Sequence, residues 1–432
     1  MRVLFVSSTF PNDLKTKVGG VYQRMRLFVD AIKEIASLDI LFYVPPDVDT
    51  TPSAVAKLEK NLSKYWDASI RLSLCPSAQE SNASKWQLYA APAFSFFRLP
   101  GCLQTSGETQ VRAFERSLQG SPDIVFVHKL SSMCPLLLTK TTLPSVVLDL
   151  DDIEHIVLWR SLWQQPGWRE RVLYMARFPS LLWGEHRSIR LSSRTFVCSE
   201  LDRLYLADRW KLPGIAVIPN AVYIPQPQPL TEDPTMLFIG SYLYQPNVDA
   251  AEFLIHKVWP HVRQKNAGAR LTIAGTPQDR ILGCSSPPPG VTFTGFVEDV
   301  ADLYFRSRVV CAPILSGGGT RVKIIEAAAY GKAIVATRIG AEGLEMYEGR
   351  DLLLRDDAVS FAEACLELLE DSELCLKLGS AARNLAIQAY ERASVVGLIQ
   401  KYIRAQCRLP MALPASLELP VSSSHPRKSP TG

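Results

Sequence analysis

Short, almost continuous apolar runs alternate with longer amphipathic ones along nearly the whole sequence. This alternation constrains the fold more than any other feature. An apolar run without period-two polarity reads as a strand buried on both faces, and such strands belong to parallel sheets covered by helices. The chain is therefore expected to be α/β. In the first half the strand candidates are VLFVSS (3–8), DILFYV (39–44), DIVFVH (123–128), SVVLDL (145–150) and RTFVCS (194–199). In the second half they are TMLFIG (235–240), RLTIAG (270–275), VTFTG (291–295), VVCAPI (309–314) and AIVAT (333–337). Several end in Gly, Ser, His or Asp, and ligands of open α/β sheets bind beyond the carboxyl ends of strands.

A chain of 432 residues is long for one core and suggests two domains. Between the two strand sets lies VIPNAVYIPQPQPLTEDPT, with five prolines between 219 and 234. That is linker composition. The expected division is a first α/β domain over 1–216, a linker over 217–234 and a second α/β domain over 235–389. YERASVVGLIQKYI (390–403) has helical apolar spacing, so 390–407 is expected to be a helix beyond the second domain. The Pro- and Ser-rich stretch 408–432 is expected to be a disordered tail.

The net charge of +4 implies no general field for polyanions, and no RNA-binding motif is present, so nucleic acid is not an expected partner. Nine cysteines, an odd number without a CxxC pair, read as reduced thiols in the cytoplasm rather than a disulfide framework or zinc site. The N-terminal MRVLFVSSTFP has too short an apolar run for a signal peptide and reads as a first strand. No stretch approaches the ~20 apolar residues of a membrane span.

The densest local signal is CAPILSGGGTRVKIIEAAAYGKAIVAT (311–337). SGGGT reads as a loop after a buried strand, and RVKIIEAAAY as a helix with Thr320 at its N-cap and Gly331 at C′. A glycine loop opening a helix presents free N–H groups and the positive end of the helix dipole, the local chemistry of an anion site. Arg321 and Lys323 add two positive charges in the first turn, where cations are unfavourable unless an anion such as a diphosphate offsets them. Glu326 sits further along among Ile324, Ile325 and three alanines. A carboxylate there can accept two hydrogen bonds from a vicinal diol such as ribose. The plainer alternative is a capped core helix with a Lys323–Glu326 surface pair. Neither GxxxxGK[ST] nor GxGxxG is present, so neither a Walker A loop nor a dinucleotide fingerprint is supported.

SGGGTRVKIIEAAAYGKAIVATRIGAEGL resembles the donor-site signature of group 1 (family 4-like) retaining glycosyltransferases of the GT-B fold. FIGSYLYQPNVDAAEFL (238–254), VCSE (197–200) and VIPNAV (217–222) resemble other parts of that family. The resemblance implies two Rossmann-like domains facing a cleft and transfer of a sugar from a nucleoside diphosphate sugar, with retention and without a metal or other cofactor. It implies a donor site formed by Gly19, Gly20, Gly240, Asn247, Gly317, Gly318, Gly319, Thr320 and Glu326. Arg321, Lys323 and His128 take catalytic roles in this reading, and the terminal helix crosses back to the first domain. Two departures stand out. Many members carry two glutamates eight positions apart; here the second is Glu326 and the first position is Gly318. Many also carry an Arg and a Lys after the first strand of the second domain, where this chain reads SYLYQPN. Arg321, Lys323 and the loop N–H groups are expected to take over phosphate binding.

Gly19 and Gly20 also suit a simple strand-to-helix turn. His128, at a strand end, could bond a sugar hydroxyl, take the acceptor proton, or bond a loop carbonyl. DLDDIE (149–154) is the most acidic cluster of the first half. Asp149 and Asp152 are expected to point inward, to bind acceptor or to orient basic groups. The stretch 159–190 holds four tryptophans, and 159–194 holds seven arginines against two glutamates. This mixture suits peripheral contact with an anionic inner membrane face, and it suits a lipid-linked as well as a saccharide acceptor. Helices packing on the sheet, with arginine stems over apolar surface, are the competing account. A catalytically silent binding module of a polysaccharide-biosynthesis complex and a GT-B epimerase or phosphorylase are the alternative functions.

Overall fold

The computed structural model describes residues 1–11, 20–78, 85–164 and 167–406. The first domain is built on β1 (Arg2–Ser7), β2 (Ser37–Val44), β3 (Ile70–Pro76), β4 (Ile124–His128), β5 (Ser145–Asp151), β6 (Arg194–Val197) and β7 (Ile215–Val217). Their order in the sheet is β3-β2-β1-β4-β5-β6-β7. The second domain is built on β8 (Thr235–Ile239), β9 (Arg270–Ala274), β10 (Val291–Gly295), β11 (Val309–Ala312), β12 (Ala333–Ala336) and β13 (Leu353–Leu354), in the order β10-β9-β8-β11-β12-β13. Neighbouring strands pair in parallel throughout. Both sheets are thus doubly wound, and each reverses its winding beside its first strand: between β1 and β4, and between β8 and β11.

The continuous apolar runs are explained by burial on both sheet faces. Val3 and Phe5 pack into one cluster with Met25, Phe28 and Ile32 of the first helix (Gly20–Lys33). Leu4 and Val6 pack into another on the opposite face. β3, β7 and β13 were not anticipated. β3 lies at the sheet edge, and its exposed Arg71 and Ser73 break the apolar run. β7 and β13 are only three and two residues long.

β7 takes Val217, and Ile218 is buried in the first core, so the connecting segment begins at Pro219. The terminal helix (Arg392–Gln406) lies against the first helix, with Val395, Ile399 and Ile403 inside the first domain's core. Its N-terminal end is tied down by Arg392 to Asp30 at 2.5 Å. The chain therefore passes between domains twice, and the two passages touch. The Val222 amide donates to Tyr390 O (2.9 Å), and the Arg392 amide donates to Val222 O (3.0 Å). Gly19 and the tail from 407 onward lie outside the described residues.

Ile399 is fully buried in the first domain although it comes from the end of the chain. Ile399→Ala should cost about 2–5 kcal/mol, read as a lower urea midpoint with an unchanged slope. A loss below ~0.5 kcal/mol would mean that the helix contributes no core packing.

Candidate functional site

Both sheets direct their carboxyl ends to one region. From the second domain come Gly240 after β8 and the loop Ser316–Thr320 after β11; from the first come Ser7, His128 and the β5 end, Asp149–Asp152. These are the two topological switch points, where ligands of such sheets bind.

The glycine loop needs its glycines. Gly317 and Gly319 have φ of 99° and 65°. A Cβ at Gly317 would collide with the Tyr244 hydroxyl, one at Gly318 with Val157, and one at Gly319 with Asp152. The loop helix (Val322–Ala329) starts later than its sequence suggests. Arg321, not Thr320, occupies the N-cap position and supplies no side-chain cap. The Thr320 hydroxyl is instead taken by Asn220 Nδ2 at 2.9 Å. At the other end Gly331 has φ 68°, with Gly331 N–H to Ala328 O (2.8 Å) and Lys332 N–H to Ala327 O (3.0 Å). This is the Schellman closure expected of that glycine.

Arg321 donates to the carbonyls of Ser316 (3.0 Å) and Gly318, while its Nε is buried without a partner among the described residues. Lys323 donates to Asn247 Oδ1 (2.7 Å), and its Nζ lies 4.4 Å from the centre of the Phe238 ring. Asn247 is fixed in turn by donating to Ser241 O at 2.8 Å. A Cβ at Gly240 would crowd the Asn247 side chain at 3.0 Å, so Gly240 makes room for the residue that holds Lys323. Both cations thus bond to neutral oxygens, with the Glu326 carboxyl near Lys323 and that of Asp152 near Arg321. Burial, followed by the neighbouring Arg321, pushes the Lys323 ammonium down to about 7. The Lys323–Glu326 surface pair is not formed: Glu326 accepts from Tyr304 Oη (3.2 Å) and from Gln23 Nε2 (3.4 Å) of the first domain. Burial pushes its carboxyl up. Gly20 also meets this helix: a Cβ there would stand 3.6 Å from Val322.

On the first-domain side Asp149 points inward, and of its two expected roles the structure shows the orienting of a basic group rather than acceptor binding. Its side chain is fully buried, and both its oxygens accept from Arg24, at 2.6 Å from Nη2 and 3.0 Å from Nε. Burial pushes the Asp149 carboxyl up to about 6, and Arg24 opposes that shift, so the group remains ionised at neutral pH. Fully buried behind Arg24, it orients that guanidinium. Asp152 does reach the cleft, against Gly318 and Gly319. Burial and then Asp151 push its carboxyl up to about 7. His128 is fully buried, with Nδ1 3.0 Å from Ser7 Oγ and Nε2 unpartnered among the described residues. Burial, and next Lys129, push it down to about 3. Of the roles expected for it, hydrogen bonding suits such a neutral imidazole better than proton uptake.

Residues 233–371 match the family model for Glycosyl transferases group 1. The chain has the GT-B fold and carries a group 1 glycosyltransferase domain. A Klebsiella pneumoniae protein described as an uncharacterized 44.6 kDa protein in the cps region is 25% identical over 174 residues, 38% of this chain and 45% of that one. The chain thus matches less than half of that relative's length. Sucrose-phosphate synthase of Thermosynechococcus elongatus superposes with a TM-score of 0.68 at 16% identity, over 94% of this chain and 98% of that one. A TarM mutant of S. aureus, solved with fondaparinux, alpha-GlcNAc-glycerol and UDP, gives 0.65 at 13% identity over 95% and 100%. Anabaena HepE with UDP and glucose gives 0.60 at 14% identity over 94% and 100%.

In this GT-B chain three site residues were not singled out from the sequence: Asn220, although it lies within VIPNAV, Arg160 and Arg24. Asn220 links Arg24 (3.3 Å) to Thr320 (2.9 Å) across the domains. Arg160 forms a bidentate pair with Glu342 (2.5 and 2.8 Å) and donates to Gly317 O (3.1 Å). Arg24 had a detectable signal, since it lies four residues before Phe28 on the buried face of an amphipathic helix. Beside the glycine loop is a cavity of about 760 Å³ walled by Ile153, Ile156, Trp159, Phe178, Leu201 and Trp210. Among the described residues no helix is long and apolar enough to cross a membrane.

Removing one partner of a buried ion pair leaves the other charge unpaired and costs about 3–5 kcal/mol. Asp149→Ala should therefore show a large drop in chemical-denaturation stability. An acceptor ligand with no structural role would leave that stability unchanged and alter turnover alone.

Proposed function

We propose that the chain transfers a sugar from a nucleoside diphosphate sugar to a hydroxyl of a saccharide or lipid-linked acceptor, with retention at the anomeric carbon. The observation that carries this reading is the pair Arg321 and Lys323: two cations at the start of a glycine-loop helix, bonded to carbonyl and amide oxygens rather than to a carboxylate, with the buried Arg321 Nε unpartnered among the described residues. A diphosphate supplies the missing negative charge. Glu326 would exchange Gln23 and Tyr304 for the two ribose hydroxyls. The uridine nucleotides held by structures of similar fold make UDP the first base to test, and the cps-region relative favours a polysaccharide product.

In the proposed reaction the bond from the anomeric carbon to the leaving phosphate oxygen breaks, and the bond to the acceptor oxygen forms on the same face. The acceptor proton passes to the departing phosphate, a role consistent with a His128 that takes protons poorly. Arg321, Lys323 and the loop N–H groups stabilise the charge on the leaving diphosphate, commonly the largest contribution to such catalysis. They fill the role a divalent ion plays elsewhere, so turnover should survive EDTA. The eight described cysteines are all free, which fits the cytoplasm. Trp168, Val172, Met175 and Trp183 lie exposed on one face of the long helix (Trp168–Leu191), with Arg169 and Arg187 over two of these rings. This face suits peripheral contact with an anionic inner membrane surface.

Calorimetric titration tests the donor site. Arg321→Ala and Lys323→Ala should each weaken UDP by about 1.5–3 kcal/mol and leave uridine almost unaffected; equal losses for both ligands would remove these side chains from the phosphates. The free Lys323 releases its proton near pH 7, and a bound diphosphate holds it on. Binding therefore takes up a proton above that pH, and UDP affinity should fall as pH rises from about 7. Lys323→Met should flatten that slope.

A further inference from the structure

The cavity beside the glycine loop contains polar groups that the donor reading leaves unused. The Glu185 carboxylate, fully buried, accepts from the main-chain N–H of Glu154 at 2.8 Å through Oε1 and contacts His155 Nδ1 through Oε2. His155 is itself only 2% exposed, and its Nε2 is 2.8 Å from the Tyr205 hydroxyl. A carboxylate can only accept, so Nδ1–H donates to it and the imidazole is fixed in its plane. The ring is further boxed by Phe178, Tyr205 and Trp210. Tyr205 lines the cavity, so this chain of three side chains ends in a phenol held still at the aromatic and aliphatic part of the wall; Arg160, Ser199, Asp202, Arg209 and Glu342 line the rest. A phenol with one hydrogen bond made retains the capacity for another. Gly318 and Gly319 line the same cavity, so a molecule seated there reaches the loop at which the donor's phosphates are expected.

The wall is also continuous with the exposed apolar surface outside. Trp159 lines the cavity, is 49% exposed, and has its ring 5.7 Å from that of Phe178 on the long helix. The same helix carries the exposed Trp168, Val172, Met175 and Trp183. We propose that this cavity is the acceptor subsite, that Tyr205 is its polar anchor, and that the acceptor is an amphiphile: a hydroxyl-bearing saccharide head on an aliphatic chain. The head bonds Tyr205 and faces the glycine loop, while the chain leaves between Trp159 and Phe178 toward the apolar face of the long helix. Glu185 and His155 act through Tyr205 and are positioning residues. This inference rests on the transferase reading for its context, but it concerns binding that needs no donor.

The test uses the full chain and tryptophan fluorescence, since Trp159 and Trp210 border the cavity. Octyl β-D-glucoside, kept below its micelle threshold, should bind at least 10-fold more tightly than glucose. Tyr205→Phe keeps the ring and removes the hydroxyl; it should weaken octyl glucoside about 3- to 10-fold while leaving the thermal shift given by UDP unchanged. Phe178→Leu should weaken octyl glucoside and leave glucose unaffected. Trp168→Ser, on the outer face, should leave soluble octyl glucoside binding as it was. The proposal is overturned if octyl glucoside binds no more tightly than glucose, if Tyr205→Phe has no effect, or if Trp168→Ser removes binding as fully as the cavity variants do. A normal UDP shift alongside any of these outcomes leaves the donor reading standing. A missing UDP shift with octyl glucoside bound as expected has the opposite meaning.

Discussion

Arg24 is fully buried and takes its counter-charge from Asp149. Much of the site hangs on that pair. With one edge of its guanidinium held by Asp149, Arg24 turns Nη1 toward Ile218 O (3.0 Å) and Asn220 Oδ1 (3.3 Å), at the point where the chain leaves the first domain. Asn220 then donates to Thr320. A continuous polar line runs from the end of β5, through the first helix and the start of the connecting segment, to the glycine loop of the other domain. A buried pair of this kind adds little net stability over apolar residues of the same shape, because desolvation cancels much of the attraction. Its effect is orientation. It fixes where the connecting segment starts, and therefore where the second domain can sit.

The other contacts between domains concentrate on the same loop. Asp152 and Val157 fill the space that side chains at Gly318 and Gly319 would need. Arg160 bonds Glu342 and the Gly317 carbonyl, and Gln23 reaches Glu326. The connections that would serve as a hinge lie together, at Val222 and Tyr390–Arg392. An opening motion about that point would separate the loop from Asp152, Arg160 and Gln23 while the terminal helix kept its place on the first domain. Each of these contacts is polar or small and so is broken at modest cost, as a cleft that admits substrates requires.

The sequence was legible where a structural signal is local. Strands buried on both faces announce themselves as unbroken apolar runs. The glycine loop and Gly331 did so because positive φ selects glycine. It was illegible where the deciding partner is remote. Thr320 has the chemistry of an N-cap, but a residue 100 positions earlier claims its hydroxyl. Asp149 looks like a cleft carboxylate until Arg24, 125 positions away, closes over it. Asp152, three residues on, shares the same local composition and faces the cleft. No local rule separates the two. The irregularity in strand register between Asp149 and Asp151 and the positive φ of Asp151 (60°) turn the chain between them.

The surroundings of the glycine loop also explain how a lysine can be kept half-buried. Burial disfavours its charge, and the nearby Arg321 disfavours it further. A lysine in that position could shed its proton or swing out to water. Asn247 and the Phe238 ring hold it in place by dipole and quadrupole, interactions too weak to neutralise it. The result is a cation near the edge of ionisation whose favourable state depends on an anion arriving. Gly240 is part of the same device, because a side chain there would press on Asn247 at 3.0 Å. The absence of an Arg–Lys pair after β8 therefore leaves no gap in the charge arrangement. In this chain SYLYQPN supplies an asparagine, and the asparagine sets the position of a lysine that belongs to the other switch-point element.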